Sequence, residues 1–201
     1  MGLRERKKAE TRAALSWAAI RLSVEHGFDN VKVEDIAEAA GVSPRTFNNY
    51  FSSKGEAIAA RQLDRYLRIA ETLRERPAEP LWDAVLRSVL SQFGPDAASA
   101  AHPVPDPAQW TAGVRVMLAE PALQGELLRA GAIAEAEIAA AVAERTGTDV
   151  QQDLYPHLVA SAVMAATNAA RAHHLRTDPP VPMSRLLTDA FTQLAAGLPT
   201  P

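Results

Sequence analysis

Apolar residues return along this chain at spacings of three and four, the mark of helices that bury one face. Leu15, Ala18, Ala19 and Leu22 predict a first helix from about Glu10 to His26, closed by Gly27. Val33, Ile36, Ala37 and Ala40 repeat the stripe at i, i+3, i+4 and i+7. Gly41 ends it, because glycine enters the left-handed backbone region without steric cost. Ser43 and Pro44 restart a helix at once, serine as N-cap and proline at the first helical position, where its missing N–H is no loss. Ala37 and Gly41, four residues apart, allow two short helices to cross closely at a steep angle, as a helix-turn-helix requires.

The remaining pattern is also helical. Ser53 and Glu56 read as a capping box opening a long fourth helix toward Glu75, stopped by Pro77 and Pro80. A fifth helix spans Leu81 to Phe93, and Gly94-Pro95 through Pro107, with prolines at 95, 103, 105 and 107, reads as a loop. Asp106-Pro107 starts a sixth, Pro121 interrupts, and a seventh runs to Thr146 with Gly147 as its stop. Asp149 is expected to cap the eighth, kinked at Pro156 and reaching about His174, and Ser184 to Leu198 forms the ninth. Strand-like period-two clusters are absent. The fold class is therefore all-α: an N-terminal three-helix helix-turn-helix head over 1–53, residues 54–201 forming a bundle, about nine helices in all.

The second half of the helix-turn-helix is unusual in what it leaves polar. Phe47 and Phe51 can face a core, which turns Arg45, Asn48 and Asn49 elsewhere and sets Thr46 and Tyr50 at the margins. Arginine pairs with the O6/N7 edge of guanine, asparagine with the N6/N7 edge of adenine, and hydroxyls suit phosphate oxygens. Taken singly these residues equally suit a solvated helix face. Their concentration on two turns after a glycine corner favours DNA.

The stretch from Thr11 to Leu63 resembles the N-terminal DNA-binding domain of the TetR family of bacterial transcriptional regulators. The matching residues are Ala18-Ala19, Gly27-Phe28, Val33-Glu34-Asp35-Ile36-Ala37, Ala40-Gly41-Val42-Ser43, Thr46-Phe47, Tyr50-Phe51 and Ser53-Lys54. Two positions depart: Lys32 stands where Ser or Thr commonly caps, and Ser23 where a large apolar residue is common. The candidate DNA contacts are Lys32, Val33, Ser43, Pro44, Arg45, Thr46, Asn48, Asn49, Tyr50 and Lys54, the last two aimed at phosphates. The resemblance implies dimerisation through the last two helices. It also implies release from DNA when a ligand in the bundle shifts the fourth helix, and repression is the expected direction, with activation the alternative. Weaker similarity of the C-terminal part points to regulators with acyl-CoA-like ligands.

Charge sharpens this picture. The net charge of −3 conceals a division: residues 1–54 hold nine Lys/Arg against seven Asp/Glu, and residues 55–201 hold twelve against seventeen. Five basic and two acidic side chains crowd the first twelve residues, a floppy arm able to settle on phosphates or a solubilising tail. No cysteine is present, and no apolar run is long enough for a membrane span or a signal peptide, so a cytoplasmic protein without membrane contact is expected.

Small residues in the eighth helix (Ala160, Ser161, Ala162, Ala165, Ala166, Ala169, Ala170) and Leu186, Leu187, Phe191 and Leu194 in the ninth are expected to pack against their copies in a second subunit, with plain core packing as the alternative. Two-fold pairing would double a site that one short helix reads poorly. Candidate linings for a small-molecule effector are Leu86, Leu90, Phe93, Trp110, Val114, Met117, Val163 and Met164, each also suited to plain core. Arg87 and Arg115 could meet an anionic head group. An enzyme is disfavoured: there is no phosphate-binding Gly-Lys-Ser/Thr loop, no Gly-x-Ser-x-Gly elbow and no thiol. Neither a metal nor a cofactor is expected. Asp153 and His157 share a face, but His173 and His174 diverge by about 100° on a helix. A helical scaffold without a DNA role would leave the Arg45, Asn48 and Asn49 face without purpose.

Overall fold

A computed structural model describes residues 2–93 and 107–200, and these contain nine α-helices, one 3-10 turn and no strand. The helices are α1 (Leu3–His26), α2 (Val33–Ala39), α3 (Pro44–Asn48), α4 (Lys54–Arg74), α5 (Leu81–Phe93), α6 (Pro107–Leu118), α7 (Pro121–Thr146), α8 (Leu154–Arg176) and α9 (Met183–Ala195). The 3-10 turn, Phe28–Asn30, lies between α1 and α2. The expected loop from Gly94 to Asp106 falls outside the described residues.

Three local readings are corrected. The first helix begins at Leu3, so the basic arm forms its first turns instead of a floppy tail. The eighth begins at Leu154 with Asp153 in the N-cap position, while Asp149 accepts from the N–H of Gln151 (2.7 Å) one turn earlier. Pro156 therefore lies in the first turn of α8, where backbone N–H groups have no intrahelical partner and no kink is required. At α4 only half of the capping box forms. Ser53 Oγ accepts from the N–H of Glu56 (3.0 Å), but the Glu56 carboxylate accepts from the N–H (2.7 Å) and hydroxyl (2.6 Å) of Ser52.

Packing divides the chain into two compact units, Met1–Asp64 with Asp106–Ala130, and Arg65–Pro105 with Gly131–Pro201. The expected division at 53/54 falls within the first of these units. In the first unit Leu15, Phe28, Ile36, Phe47, Phe51 and Ile58 form one apolar core with Met117 and Leu123, so α6 and the start of α7 complete the head. Two serines of α1, Ser16 and Ser23, are buried there, and their hydroxyls have no partner among the described residues. Ser23 thus brings a desolvated hydroxyl where an apolar side chain would pack.

In the second unit α9 packs on both α8 and α5. Leu187 and Phe191 are fully buried within this chain, so they serve its own core and not a partner's; Leu186 and Leu194 are half-buried. On α8 the inward face is Val159, Ala160, Val163, Thr167 and Ala170, and the outward stripe is Leu154, Tyr155, Leu158, Ser161, Ala165 and Ala169. Arg74 of α4 pairs with Glu144 (2.9 Å) and Glu137 (3.6 Å) of α7, and Arg145 donates to the carbonyls of Arg76 and Glu79 in the α4–α5 turn.

Candidate nucleic-acid interface

Helix α3 is held by its apolar side. Phe47 and Phe51 are buried with ring centroids 5.8 Å apart, and the Arg12 guanidinium, ion-paired with Asp64, lies 5.3 Å from the Phe51 centroid. With that side fixed, the 3.6-residue period leaves Arg45, Asn48 and Asn49 exposed, together with Ser43 and Pro44. Thr46 and Tyr50 are half-buried, Tyr50 with its ring 6.4 Å from that of Phe51.

The corner before it is a Schellman turn: Val42 N–H donates to Ala37 O and Gly41 N–H to Glu38 O, both at 2.9 Å. Gly41 takes φ +69°, where a side chain would be strained. Ser43 caps α3 as expected, its Oγ accepting from the N–H of Thr46 (3.1 Å) and sharing a hydrogen bond with the Thr46 hydroxyl (2.9 Å). Lys32 makes no side-chain cap at α2. There the Asp35 carboxylate accepts from the Lys32 N–H (2.8 Å), a substitute the sequence reading missed although Asp35 stands at the third helical position. Lys32 is exposed and Val33 packs half-buried against the core.

Lys54 differs from the other candidates. Its ammonium donates to the carbonyls of Phe28 (2.5 Å) and Val31 (3.0 Å) and lies 4.2 Å from the Phe28 ring centroid. These partners are 26 and 23 residues away, so no local motif signals them. At the same helix start, hydrogen bonds from Ser52 lower the Glu56 pKa, the hydroxyl contributing more than the backbone N–H, against an opposing effect of burial. The Ser53 hydroxyl also reaches Glu126 of α7 (3.3 Å).

The eight effector-lining candidates are distributed over both units. Trp110, Val114 and Met117 lie in the first. Trp110 meets Trp17 of α1 with ring centroids 5.3 Å apart, Arg61 lies 5.1 Å from the Trp17 centroid, and Met117 is buried in the head's core. Leu86, Leu90, Phe93, Val163 and Met164 lie in the second, with Val163 and Met164 buried, the others half-buried, and Phe93 edge-on to the buried Tyr66 at 6.3 Å. Arg87 faces Glu79 at 3.6 Å, and Arg115 is exposed. An open groove of about 480 Å³ lined by Leu22, His26, Asn30, Val31, Asp35 and Glu38, and another of about 470 Å³ beside Gly147, contain none of the eight. Among the described residues no group of three or more His, Asp or Glu could hold a metal, and no helix is long and apolar enough to cross a membrane.

Comparison with known proteins accords with this geometry. Residues 17–60 match the family described as bacterial regulatory proteins, tetR family, and residues 79–199 match the MftR C-terminal domain. The chain is 31% identical over 182 residues to the HTH-type transcriptional regulator TcmR of Streptomyces glaucescens, covering 88% of this chain and 79% of that protein. It is 32% identical over 195 residues to the putative mycofactocin biosynthesis transcriptional regulator MftR of Mycobacterium tuberculosis, covering 96% and 93%. In fold it is similar to the fatty acid degradation regulator FadR from Bacillus halodurans (TM-score 0.61, 15% identity, 95% and 97% covered). It is likewise similar to a putative TetR-family regulator from Rhodococcus sp. (TM-score 0.57, 21% identity, 95% and 100% covered). These relatives are regulators of transcription, not enzymes. With a short helix seated by the buried Phe47 and matches spanning the head and most of the remainder, this chain belongs to the TetR family of bacterial transcriptional regulators.

Proposed function

We propose that this regulator acts in the cytoplasm as a homodimeric repressor that reads its operator with Arg45, Asn48 and Asn49. The observation that carries the reading is the division of α3: Phe47 is fully buried while those three polar side chains stand in solvent. Lys32, Ser43, Pro44, Thr46 and Tyr50 border that face and suit phosphate or backbone contacts, with Val33 offering a methyl surface. The outward stripe of α8 supports the dimer. Leu154, Tyr155 and Leu158 are 69%, 47% and 56% exposed and lie together on one face of the helix, and the small residues that follow permit close approach of a second copy.

The effector in this reading is a small apolar or amphipathic molecule held by the bundle, with fatty acids and acyl-CoA the first class to test. The apolar candidates Leu86, Leu90, Phe93, Val163 and Met164 support it, as does the sequence resemblance to regulators of such ligands. Binding would favour a state in which the two α3 helices no longer match major grooves roughly 34–36 Å apart. A coupling of about 1–3 kcal/mol lowers operator affinity roughly 5- to 150-fold.

The test is selection of bound fragments from genomic DNA, followed by titration of the complex with long-chain acyl-CoA. Recovery of discrete fragments whose transcription rises when the protein is removed supports the repressor. Falling transcription makes it an activator, and recovery of none rejects operator reading. Full DNA affinity at saturating acyl-CoA rejects that effector class.

A further inference from the structure

We propose that Lys54 is a positioning residue of the reading head and not one of its phosphate contacts. The proposal rests on α3 reading DNA and adds how the corner that presents α3 is kept in place.

The peptide group between Val31 and Lys32 is gripped at both ends. Its carbonyl oxygen accepts from Lys54 Nζ at 3.0 Å, and its N–H donates to the Asp35 carboxylate at 2.8 Å. A second bond from Lys54, to the carbonyl of Phe28, holds the preceding turn, and the ammonium rests on the Phe28 ring. Phe28 and Val31 are both buried, so this turn is tied to the core by its side chains and to α4 by its backbone. The start of α2 is thereby fastened to the start of α4, and the α2–α3 corner is the chain that runs between those two fixed points. A cation in the first turn of a helix opposes the helix dipole. Here the carbonyl pair and the aromatic face offset that cost, which explains a lysine where an acidic or neutral residue is ordinarily favoured. An ammonium has three donors, and two are committed within the protein.

The roles separate in the salt dependence of binding. Removing a group that neutralises a phosphate makes the slope of log affinity against log salt shallower by about 0.9. Removing a positioning residue leaves the slope and lowers the ratio of operator to non-specific affinity. Lys54→Met, similar in length but without donors, is compared with Lys54→Arg, which keeps donors, at a temperature where both are folded. We expect Lys54→Met to keep the wild-type salt slope, to lose about tenfold or more of the specificity ratio and to exchange its α2 amides faster, with Lys54→Arg recovering part of that ratio. A shallower slope with an unchanged specificity ratio and unchanged exchange overturns the proposal.

Should Lys54→Met not fold, 15N-detected spectra of the wild-type chain without DNA decide. A Lys54 ammonium signal slowed in its exchange with water supports the internal bonds. A signal that appears only on adding DNA overturns them. Wild-type protein that binds no DNA refutes operator reading, while exchange and ammonium spectra still decide whether Lys54 fastens the turn.

Discussion

Gly113 of α6 and Val24 of α1 meet with no room for a side chain between them: a β-carbon on Gly113 would lie 2.6 Å from Val24 Cγ1 and 3.0 Å from the Val24 carbonyl oxygen. Neither obstacle is compliant, since valine is stiff at χ1 and the oxygen belongs to the backbone. The absence of a β-carbon lets α6 lie against α1 and brings Trp110, one turn back on α6, onto Trp17. Gly113→Ala is expected to destabilise the protein by about 1–3 kcal/mol in denaturant titration, although alanine favours helix. An unchanged or raised midpoint would mean the two helices do not meet in this way.

On the reading face, Arg45→Ala, Asn48→Ala and Asn49→Ala are each expected to weaken operator binding by about 1–3 kcal/mol and to relax preference at one base pair. Thermal stability should hardly change, because all three side chains are exposed. Competition against a panel of single-base operator variants is the measurement. An unaltered preference profile in the triple variant excludes direct reading by α3.

The basic segment is helical, and Arg4, Lys7 and Lys8 share one exposed face while Arg6 pairs with Glu10 at 3.4 Å. Deleting residues 1–9 should lower affinity for operator and non-specific DNA alike and reduce the salt slope by about 0.9 for each phosphate that the segment neutralises. Equal binding at low salt by the shortened protein counts against any part in DNA binding.

Two substitutions in the C-terminal helices distinguish surface from core. Leu158→Glu on the outward stripe of α8 should yield a folded monomer by sedimentation, with operator affinity lower by about 10²-fold or more as bivalency disappears. Phe191→Ala removes a ring that this chain buries within itself and should cost about 3–5 kcal/mol of stability. A Leu158→Glu protein that remains dimeric places the interface elsewhere.

Glu56 supplies a pH dependence with a definite sign. Its pKa in the folded protein is held below the ordinary 4.5, chiefly by the Ser52 hydroxyl and then by the Ser52 N–H. A depressed carboxyl pKa gives stability that is present above pH 4.5 and is lost as the pH falls through the folded value. Wild-type protein should therefore lose an increment of stability on acidification below pH 4.5 that Glu56→Gln does not lose. Parallel stability curves for the two proteins across that range would show that the carboxylate is not held this way.

The sequence by itself determined the helices and the corner between α2 and α3. Apolar spacing, Gly41, Ser43 and Pro44 act within a few residues, and local sterics and capping need nothing from the rest of the chain. What depended on distant partners came from the tertiary structure alone: Lys54 turned onto the carbonyls of Phe28 and Val31, Trp110 and Met117 were drawn into the head's core, and Leu187 and Phe191 into their own chain's interior. A side chain's residue type states what it can bond or bury, but which of its possible partners it meets is settled when helices far apart in sequence pack. That is why the exposed polar face of α3 was legible from its own residues and the partners of Lys54 were not.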